Sequence, residues 1–297
     1  MNTSVTHSGF VALVGRPNTG KSTLLNRVIG QKVAIVSIRP QTTRNRVLGV
    51  LTEEAMQMVF LDTPGLHRPR TRLGDYMMRQ ATSSVREVDL VVLVVEPQAR
   101  IAEADAEMLK LCDCPVLLAI NKVDTVKREA LLEIIALYSE HYPFVALLPI
   151  SAQTGEGVEQ LMAEIRTHIP EGPAFFPEDS YTDQTERQLI TEFIREKALR
   201  ALDKEVPHGI AVEIETYEQR EDDELLEIGA VLYCERKSHK GIIIGKNGEM
   251  LKRISTSARL DMERMLGCQV YLRIFVKVRE GWRDSEGFMR SVGYDDR

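Results

Sequence analysis

Short apolar runs recur along the first half of the chain, and each run is followed by a polar or glycine-containing segment. The clearest runs are Phe10–Val14, Val59–Leu61 and Val116–Ile120, and their length and composition predict buried strands. The stretch Ser22–Ile29 instead has the character of a helix, with Gly30 as its stop signal. The segments that follow the strands are therefore predicted to lie in loops at strand ends.

The second half has a different pattern, which begins after a stretch rich in proline. Prolines and a glycine after Ile169 mark a linker. We predict one domain at residues 1–172, a linker at 173–185 and a second domain at 186–297. The elements predicted in the second domain are a helix at 186–202, strands at 209–219 and 225–236 joined by an acidic turn at 221–224, a helix and turn at 238–248, a long helix at 249–266 and a strand at 270–277.

The bulk composition limits partners and location. The chain has 297 residues, which is room for two domains, and its net charge of −6 means that any nucleic-acid site must be local. No apolar run approaches the roughly 20 residues that span a membrane, and the polar amino end lacks the basic start of a signal peptide. We expect a cytoplasmic protein, with peripheral contact to the cytoplasmic membrane left open. The four cysteines are too scattered for a zinc site and indicate reduced thiols.

The segment after the first strand has the spacing of a phosphate-binding loop. Its sequence, Gly-Arg-Pro-Asn-Thr-Gly-Lys-Ser from Gly15 to Ser22, stands between a strand and a helix, as the G-x-x-x-x-G-K-[ST] pattern requires. Gly15 and Gly20 allow a tight turn whose N–H groups point at an anion. Lys21 can reach the β- and γ-phosphates, and Ser22 can offer its hydroxyl to Mg²⁺. The alternative is an ordinary glycine-containing turn.

Two further segments supply candidate groups for the metal ion and the γ-phosphate. Asp62 opens the segment Asp-Thr-Pro-Gly after the second strand, and its carboxylate suits an outer or water-mediated ligand of Mg²⁺. Gly65 allows the backbone to meet a γ-phosphate and to move away when that phosphate leaves. In the stretch 37–46 a hydroxyl should complete the Mg²⁺ shell, with Thr43 as first choice and Thr42 as second. A plain turn and a threonine-rich loop without a metal role are the alternatives.

The segment Asn121-Lys-Val-Asp124 predicts selection of guanine. The Asp124 carboxylate can accept hydrogen bonds from N1–H and the 2-amino group, which adenine lacks at those positions, so a partly buried Asp124 would reject adenine. Asn121 can tie loops together, Lys122 can lay its stem along the ring, and the Ala152 N–H can donate to guanine O6. A polar loop is the alternative. The predicted nucleotide set is Gly15, Asn18, Thr19, Gly20, Lys21, Ser22, Thr23, Asp62, Asn121, Lys122, Asp124, Ser151 and Ala152, with Lys21, Thr43 and Gly65 as catalytic groups and Ser22, Thr43 and Asp62 as metal ligands.

A basic stretch in the second half predicts contact with single-stranded RNA. Residues 236–259 contain seven cations against one acid, Glu249, on a chain that is acidic overall. Within this stretch, Gly245-Lys-Asn-Gly248 can lie against a sugar-phosphate backbone without a Cβ collision. Three isoleucines at 242–244 suit either a groove for bases or the core, and Trp282 suits a base or a lid on the sheet. The predicted RNA-binding residues are Lys240, Gly245, Lys246, Asn247, Gly248, Lys252 and Arg253.

These motifs together resemble one family. Gly15-Arg-Pro-Asn18, Gln41-Thr-Thr-Arg44 and Asp62-Thr-Pro-Gly65 are similar to the Era family of GTPases, which joins a translation-factor-related GTPase domain to a bacterial-type KH domain. The resemblance implies an α/β P-loop GTPase domain with a mostly parallel sheet flanked by helices, followed by a smaller α+β KH domain of type II. It also implies GTP and GDP with Mg²⁺ as ligands. The implied partner is the 3′ end of small-subunit ribosomal RNA during assembly of the small ribosomal subunit, with the protein as a monomer.

The sequence departs from Ras-like GTPases directly after Gly65. Those proteins place there a glutamine that orients the attacking water, whereas this chain has Leu66, so we expect slow intrinsic turnover that a partner raises. Among relatives of the subgroup, an asparagine at the position of Asn18 helps to hold K⁺, and Asn18 is either such a ligand or a loop-stabilising residue. A GTPase of tRNA modification and a membrane-surface GTPase are the rival functions.

Overall fold

The computed structural model describes residues 6–66, 69–220 and 225–295, and the predicted acidic turn at 221–224 lies outside them. The chain divides into two compact units. Unit 1 comprises Met1–Ala34, Thr43–Pro69 and Gly74–Asp183, and unit 2 comprises Ile35–Thr42, Arg70–Leu73 and Gln184–Arg297. Among the described helices, none combines the length and the apolar character that crossing a bilayer would require.

Unit 1 is built on a six-stranded sheet with the strand order β2-β3-β1-β4-β5-β6, in which only β2 runs antiparallel to its neighbour. The mostly parallel sheet that the sequence predicts is therefore confirmed. Its strands are β1 His7–Val14, β2 Val47–Glu53, β3 Met56–Asp62, β4 Leu90–Val95, β5 Val116–Ile120 and β6 Ala146–Pro149. The helices of this part of the chain are α1 Lys21–Ile29, α2 Arg72–Ser83, α3 Glu103–Leu109, α4 Arg128–His141 and α5 Val158–Arg166.

Burial on both faces explains why these strands are apolar throughout. All six residues of β4 and all five of β5 are buried, as expected for parallel strands covered by helices on both sides. Alternate residues of β4 consequently enter two different cores. Val92 and Val94 pack on one side of the sheet, and Val91, Leu93 and Val95 pack on the other. Because the carboxyl ends of parallel strands meet at one edge, the polar segments after β1, β3, β5 and β6 converge there.

Unit 2 has the element order helix, strand, strand, helix, turn, helix, strand that the sequence predicts. Its sheet has the order β7-β8-β9, with β7 antiparallel and β9 parallel to β8. Thr185 caps the first helix through a reciprocal pair with Gln188, which fixes where that helix begins. The elements are α6 Glu186–Ala201, β7 Ala211–Gln219, β8 Leu225–Cys234, α7 Lys237–Ile244, α8 Glu249–Leu266, β9 Gln269–Val278 and α9 Glu286–Ser291.

The core of unit 2 settles two alternatives that the sequence left open. Ile243 is fully buried in that core, whereas the neighbouring Ile242 is 50% exposed. Trp282 is also fully buried, and its indole N–H donates to the Gly209 carbonyl at 2.9 Å. Tyr294 stacks on the Trp282 ring. Trp282 is therefore a packing residue, and its burial rules out stacking on a base.

The segment after α5 belongs to unit 1, which continues to Asp183. It is attached to the sheet of that unit. The Phe175 ring packs against Phe10 with 4.8 Å between the centroids. Gln57, which is fully buried, accepts hydrogen bonds from the N–H groups of Phe175 and Phe176 at 2.8 and 2.9 Å and donates to the Phe176 carbonyl at 2.9 Å. The Gln57 side chain thus makes the hydrogen bonds to the backbone of this segment that a neighbouring strand would make in a sheet.

Substitution of Gln57 tests whether that side chain holds the segment. Gln57→Leu should lower the free energy of unfolding by about 1–3 kcal/mol, because three backbone groups lose their partner. We also expect faster proteolytic cleavage within residues 173–185. Urea unfolding and limited proteolysis measure these effects. Gln98→Leu, at an exposed position, is the control, and equal behaviour of the two variants would show that Gln57 does not hold the segment.

Candidate nucleotide and RNA sites

The loop between β1 and α1 has the backbone geometry of an anion cradle. Gly15, Asn18 and Gly20 have φ angles of 141°, 66° and 99°, and a Cβ on Gly15 would lie 2.3 Å from the Val94 carbonyl oxygen. The Lys21 ammonium is buried and donates to the carbonyls of Gly15 and Arg16 at 2.8 and 2.9 Å. The cradle therefore holds a cation in place beside backbone N–H groups at the start of a helix.

Three oxygen atoms converge next to that lysine. The Ser22 hydroxyl donates to Asp62 Oδ2 at 2.5 Å, and Thr43 Oγ1 lies 3.0 Å from Ser22 Oγ. The other oxygen of this carboxylate, Asp62 Oδ1, is buried without a hydrogen-bond partner. Hydroxyls and a carboxylate are the ligand types that Mg²⁺ uses, and an unpaired carboxylate oxygen fits such an ion. Thr42 instead donates its hydroxyl to the Arg39 carbonyl at 2.6 Å, which favours Thr43 as the metal-site threonine.

Burial shifts the pKa values of the two charged groups in opposite directions. Desolvation lowers the pKa of Lys21, and the nearby carboxylates of Asp62 and Asp105 oppose this shift. Desolvation raises the pKa of Asp62, against the effects of Lys21 and of the Ser22 and Thr43 hydroxyls. Each charge is thus held in a costly position, as is expected of a site that receives a triphosphate and a divalent cation.

Gly65 and Leu66 pack tightly under the phosphate loop. A Cβ on Gly65 would lie 2.6 Å from the Pro17 nitrogen, so this close approach requires glycine. The Leu66 N–H donates to the Gly15 carbonyl at 3.2 Å, and its side chain is 4% exposed in the core. Leu66 therefore serves packing and offers no polar group to an attacking water.

A cavity of about 210 Å³ lies beside the cradle, and Asn121 is one of the residues that line it. The Asn121 side chain donates to the Thr19 carbonyl at 2.7 Å and accepts from the Ala152 N–H at 2.8 Å, so it ties three loops together. Asp124 is exposed at the cavity. The cavity is lined by Gly20, Thr23, Asn121, Lys122, Asp124, Thr125, Ser151, Ala152 and Gln153, a set with the size and polarity to hold a purine.

Two details differ from the sequence-based expectations. The Ala152 N–H, assigned to guanine O6, already donates to Asn121, so O6 would share this donor with that side chain. Asp124, expected to be partly buried, is exposed and is the middle residue of the single turn Val123–Thr125 that follows Lys122. Lys122 has a φ of 65° and pairs with Glu96 through its ammonium, which fixes the direction of its stem.

Several contacts at the site involve residues that the predicted nucleotide set does not include. Arg16 donates to Asp105 at 3.1 Å, and this carboxylate is completely buried. Arg27, on α1, donates to the carbonyls of Ala152 and Gln153. No local pattern reveals these pairs, because their partners lie 89 and 125 residues apart in sequence.

The chain directly before Thr43 is held by α6 within unit 2. Glu196, which is fully buried, accepts from the Val36 N–H at 3.0 Å, and Arg200 donates to the Val36 carbonyl at 2.8 Å. The guanidinium of Arg195, 1% exposed, donates to the Thr42 carbonyl. Residues 35–42 thus have fixed positions at both of their ends.

The Gly245–Gly248 turn has the geometry expected for a backbone clamp. Gly245, Asn247 and Gly248 have φ angles of 74°, 51° and 79°, and a Cβ on Gly248 would meet no atom within 4 Å. Arg259 is ion-paired with Glu263 at 2.6 Å, which removes it from the predicted basic surface. The cations that remain exposed are Arg236, Lys237, Lys240, Lys246, Lys252 and Arg253.

A phosphate cradle, a carboxylate suited to a divalent cation and a cavity of purine size at one sheet edge are the features of a P-loop GTPase, here in one chain with a KH domain. Sequence comparison agrees, since residues 10–122 match the family described as 50S ribosome-binding GTPase and residues 205–283 match the KH domain. The chain is 48% identical to GTPase Era of Clostridioides difficile (strain 630) over 294 residues, which covers 98% of this chain and 99% of that protein. The chain belongs to the Era family of GTPases.

Other relatives and solved structures show the same relationship. GTPase Era of Geobacter metallireducens (strain ATCC 53774 / DSM 7210 / GS-15) is 47% identical over 290 residues, or 97% of each chain. A crystal structure of Era in complex with MgGDPNP and nucleotides 1506–1542 of 16S ribosomal RNA has a TM-score of 0.94 at 37% identity, and it covers 97% of this chain and 99% of the other. Aquifex aeolicus Era bound to GDP and AlF4⁻ has a TM-score of 0.93 at 38% identity, with the same coverage.

Substitution of Gly20 tests the role of Asn121 as the tie between loops. A Cβ at position 20 would lie 2.2 Å from Asn121 Nδ2, so Gly20→Ala should displace that side chain from Thr19 and Ala152. We expect GDP affinity to fall roughly 10- to 100-fold, the scale of buried polar groups that lose their partners. Isothermal titration calorimetry measures this change.

The matched control is Gly30→Ala, at the other end of the same helix. Gly30 also has a positive φ, 72°, but its Cβ would meet no atom within 4 Å. Gly30→Ala should cost about 1 kcal/mol of stability through backbone strain alone, with unchanged GDP affinity. If the two variants bound GDP equally well, the role assigned to Asn121 would be wrong.

Proposed function

We propose that this GTPase is a switch that binds single-stranded RNA through its KH domain and acts in assembly of the small ribosomal subunit. The observation that carries the nucleotide half is the convergence of Ser22, Thr43 and Asp62 oxygens beside the buried Lys21 ammonium. The RNA half is supported by the Gly245–Gly248 turn among exposed cations. It is supported further by the similar Era structure that holds nucleotides 1506–1542 of 16S ribosomal RNA.

Each part of the site has a distinct task in this proposal. Ser22, Thr43 and Asp62 hold Mg²⁺, which when bound neutralises charge on the β- and γ-phosphates. Lys21 binds the same phosphates with its charge, and the Gly65 N–H reaches the γ-phosphate. The guanine ring enters the cavity next to Asn121, where Asp124 accepts from N1–H and the 2-amino group. Thr23, Lys122, Ser151 and Ala152 complete the walls.

The absence of a polar group on Leu66 supports slow intrinsic hydrolysis. Leu66 is buried, so its side chain neither orients nor deprotonates a water molecule. Another group must supply this function. We propose two sources. An element that a partner orders would orient the water, and a K⁺ bound near Asn18 would add positive charge at the phosphates.

The contacts of residues 35–42 support a link between the nucleotide and the second unit. Thr43 follows Thr42 directly, and the Thr42 carbonyl is held by Arg195 of α6. Thr43 is expected to bind Mg²⁺ only while the γ-phosphate is present, so loss of that phosphate should release Thr43 from the metal site. We propose that the resulting movement reaches α6 through this segment and changes access to the RNA-binding turn.

Location and assembly are the remaining parts of the proposal. We propose a cytoplasmic monomer that also makes peripheral contact with the cytoplasmic membrane. The rivals, a membrane-surface GTPase and a GTPase of tRNA modification, predict different ligands for the same basic surface, and the RNA experiment below separates them.

Potassium dependence gives a direct test of the role of Asn18. If Asn18 holds K⁺, GTP turnover at constant ionic strength should be several-fold faster in KCl than in NaCl, because the ion adds positive charge where negative charge develops. Asn18→Asp should change the ratio of turnover in KCl to turnover in NaCl. The GDP affinity of the wild-type protein should be similar in the two salts. Equal turnover in the two salts would remove K⁺ from the mechanism.

Removal of exposed lysines tests the RNA-binding surface. Lys246→Ala and Lys252→Ala should each weaken binding to a single-stranded RNA with the 3′-terminal sequence of 16S ribosomal RNA. The slope of log affinity against log salt should fall by up to about 0.7 for each lost phosphate contact. GDP affinity should not change. Fluorescence anisotropy across a salt series measures the RNA affinity and its slope.

The control is Lys277→Ala, an equally exposed lysine on β9 that pairs with Glu215 at 2.9 Å. This variant should keep the wild-type affinity and slope. A wild-type protein that prefers anionic vesicles or tRNA to the ribosomal RNA would favour a rival function. Equal losses in all three variants would show that binding is not localised at the Gly245–Gly248 turn.

A further inference from the structure

Arg27 holds the loop that forms one wall of the purine cavity. Its Nε donates to the Ala152 carbonyl and its Nη2 to the Gln153 carbonyl, both at 2.6 Å. The guanidinium therefore uses two donors on two consecutive carbonyls, a paired arrangement that resists rotation of the loop. Arg27 lies on α1 with its guanidinium outside the cavity, so it is a positioning residue and does not line the purine site.

The same loop is held from its other side by Asn121. The Ala152 N–H donates to Asn121 Oδ1 at 2.8 Å, while the Ala152 carbonyl accepts from Arg27. Both polar groups of this residue are thus engaged, and Ala152 itself is 2% exposed. The Ala152 N–H is therefore held in one direction, toward Asn121 Oδ1.

Gly155 provides a second observation on the same contact. It has a φ of 97°, and a Cβ there would lie 2.9 Å from Arg27 Nη1. The turn after Gln153 therefore lies against the guanidinium without space for a side chain. Arg27 is an exposed residue, but its guanidinium is held by two donors on two carbonyls and by the close approach of Gly155, which distinguishes this contact from a single surface ion pair.

We propose that Arg27 contributes to guanine specificity by holding the Ala152 N–H in the position where O6 of the base can share it with Asn121 Oδ1. This inference rests on the proposed nucleotide site. Because Asp124 belongs to a different loop and accepts from N1–H and the 2-amino group instead of donating to O6, the two contributions are separable. Loss of Arg27 should weaken recognition of O6 and leave recognition of the 2-amino group intact.

Three nucleotides separate these contributions. GDP carries both O6 and the 2-amino group, 6-thio-GDP replaces O6 with a weaker acceptor, and IDP lacks the 2-amino group. Affinities for wild type, Arg27→Ala and Arg27→Lys are measured by calorimetry with Mg²⁺. Ratios of affinities are compared, because a ratio does not depend on the fraction of active protein.

In Arg27→Ala the preference for GDP over 6-thio-GDP should fall about 3- to 10-fold, the scale of one neutral hydrogen bond, while the preference for GDP over IDP stays unchanged. Arg27→Lys keeps the charge but not the paired donors, so its preference should lie between those of wild type and Arg27→Ala. Arg166→Ala is the matched control, because it removes an arginine of the same unit that pairs with Glu53 and Glu159. It should change neither ratio.

The outcomes distinguish failure of this inference from failure of the proposed site. A wild-type protein without preference for GDP over 6-thio-GDP would contradict O6 recognition and, with it, the role of Arg27. A wild-type preference that Arg27→Ala keeps in full would overturn the role of Arg27 alone. Equal falls in both ratios would indicate general loosening of the cavity, and would also overturn it.

Discussion

The nucleotide site depends on two buried charges of opposite sign, the ammonium of Lys21 and the carboxylate of Asp62. Removing either ion from water costs several kcal/mol, which a fold tolerates only when other groups compensate. Two loop carbonyls accept from Lys21, and the Ser22 hydroxyl donates to one oxygen of Asp62. The other oxygen, Asp62 Oδ1, stays without a protein partner. A triphosphate with a divalent cation completes both sets of contacts, so ligand binding should also stabilise the folded chain.

The rest of unit 1 serves to keep that arrangement in place. Four strands end at the same sheet edge, and Asn121, 2% exposed, joins the loops that follow three of them. Gly20 leaves the space that this side chain occupies. The base cavity and the phosphate cradle are therefore parts of one connected structure. Movement of one of these loops should therefore displace the others through their hydrogen bonds to Asn121.

Much of this architecture could be predicted because its signals are local. Buried parallel strands have to be apolar throughout, and the motifs at their ends lie in sequence where the chemistry needs them. The paired glycines of the Gly245–Gly248 turn are equally local, because positive φ angles favour glycine. The features that escaped prediction depend on distant parts of the chain. The contact of Arg27 with Gln153 spans 126 residues, and a lone arginine on a helix gives no indication of its partner. For Trp282 the sequence offered packing on the sheet as one of two alternatives, but it gave no indication of the hydrogen bond to the Gly209 carbonyl, 73 residues earlier. Spacing along the sequence cannot supply such information, because packing decides it.

The contacts of residues 35–42 also limit how a switch could operate. Val36 is bound through both its N–H and its carbonyl, and Arg39 donates to the Leu202 carbonyl at 3.0 Å. Hydrogen bonds that involve charged side chains contribute about 1.5–3 kcal/mol each, so detachment of the whole segment would be costly. The free energy of the one contact at Thr43 that loss of the γ-phosphate would remove is too small to detach the whole segment. The movement should therefore either bend the chain near Thr42, or carry the segment and α6 together. In the proposed switch, only the second route would transmit the state of the nucleotide to unit 2.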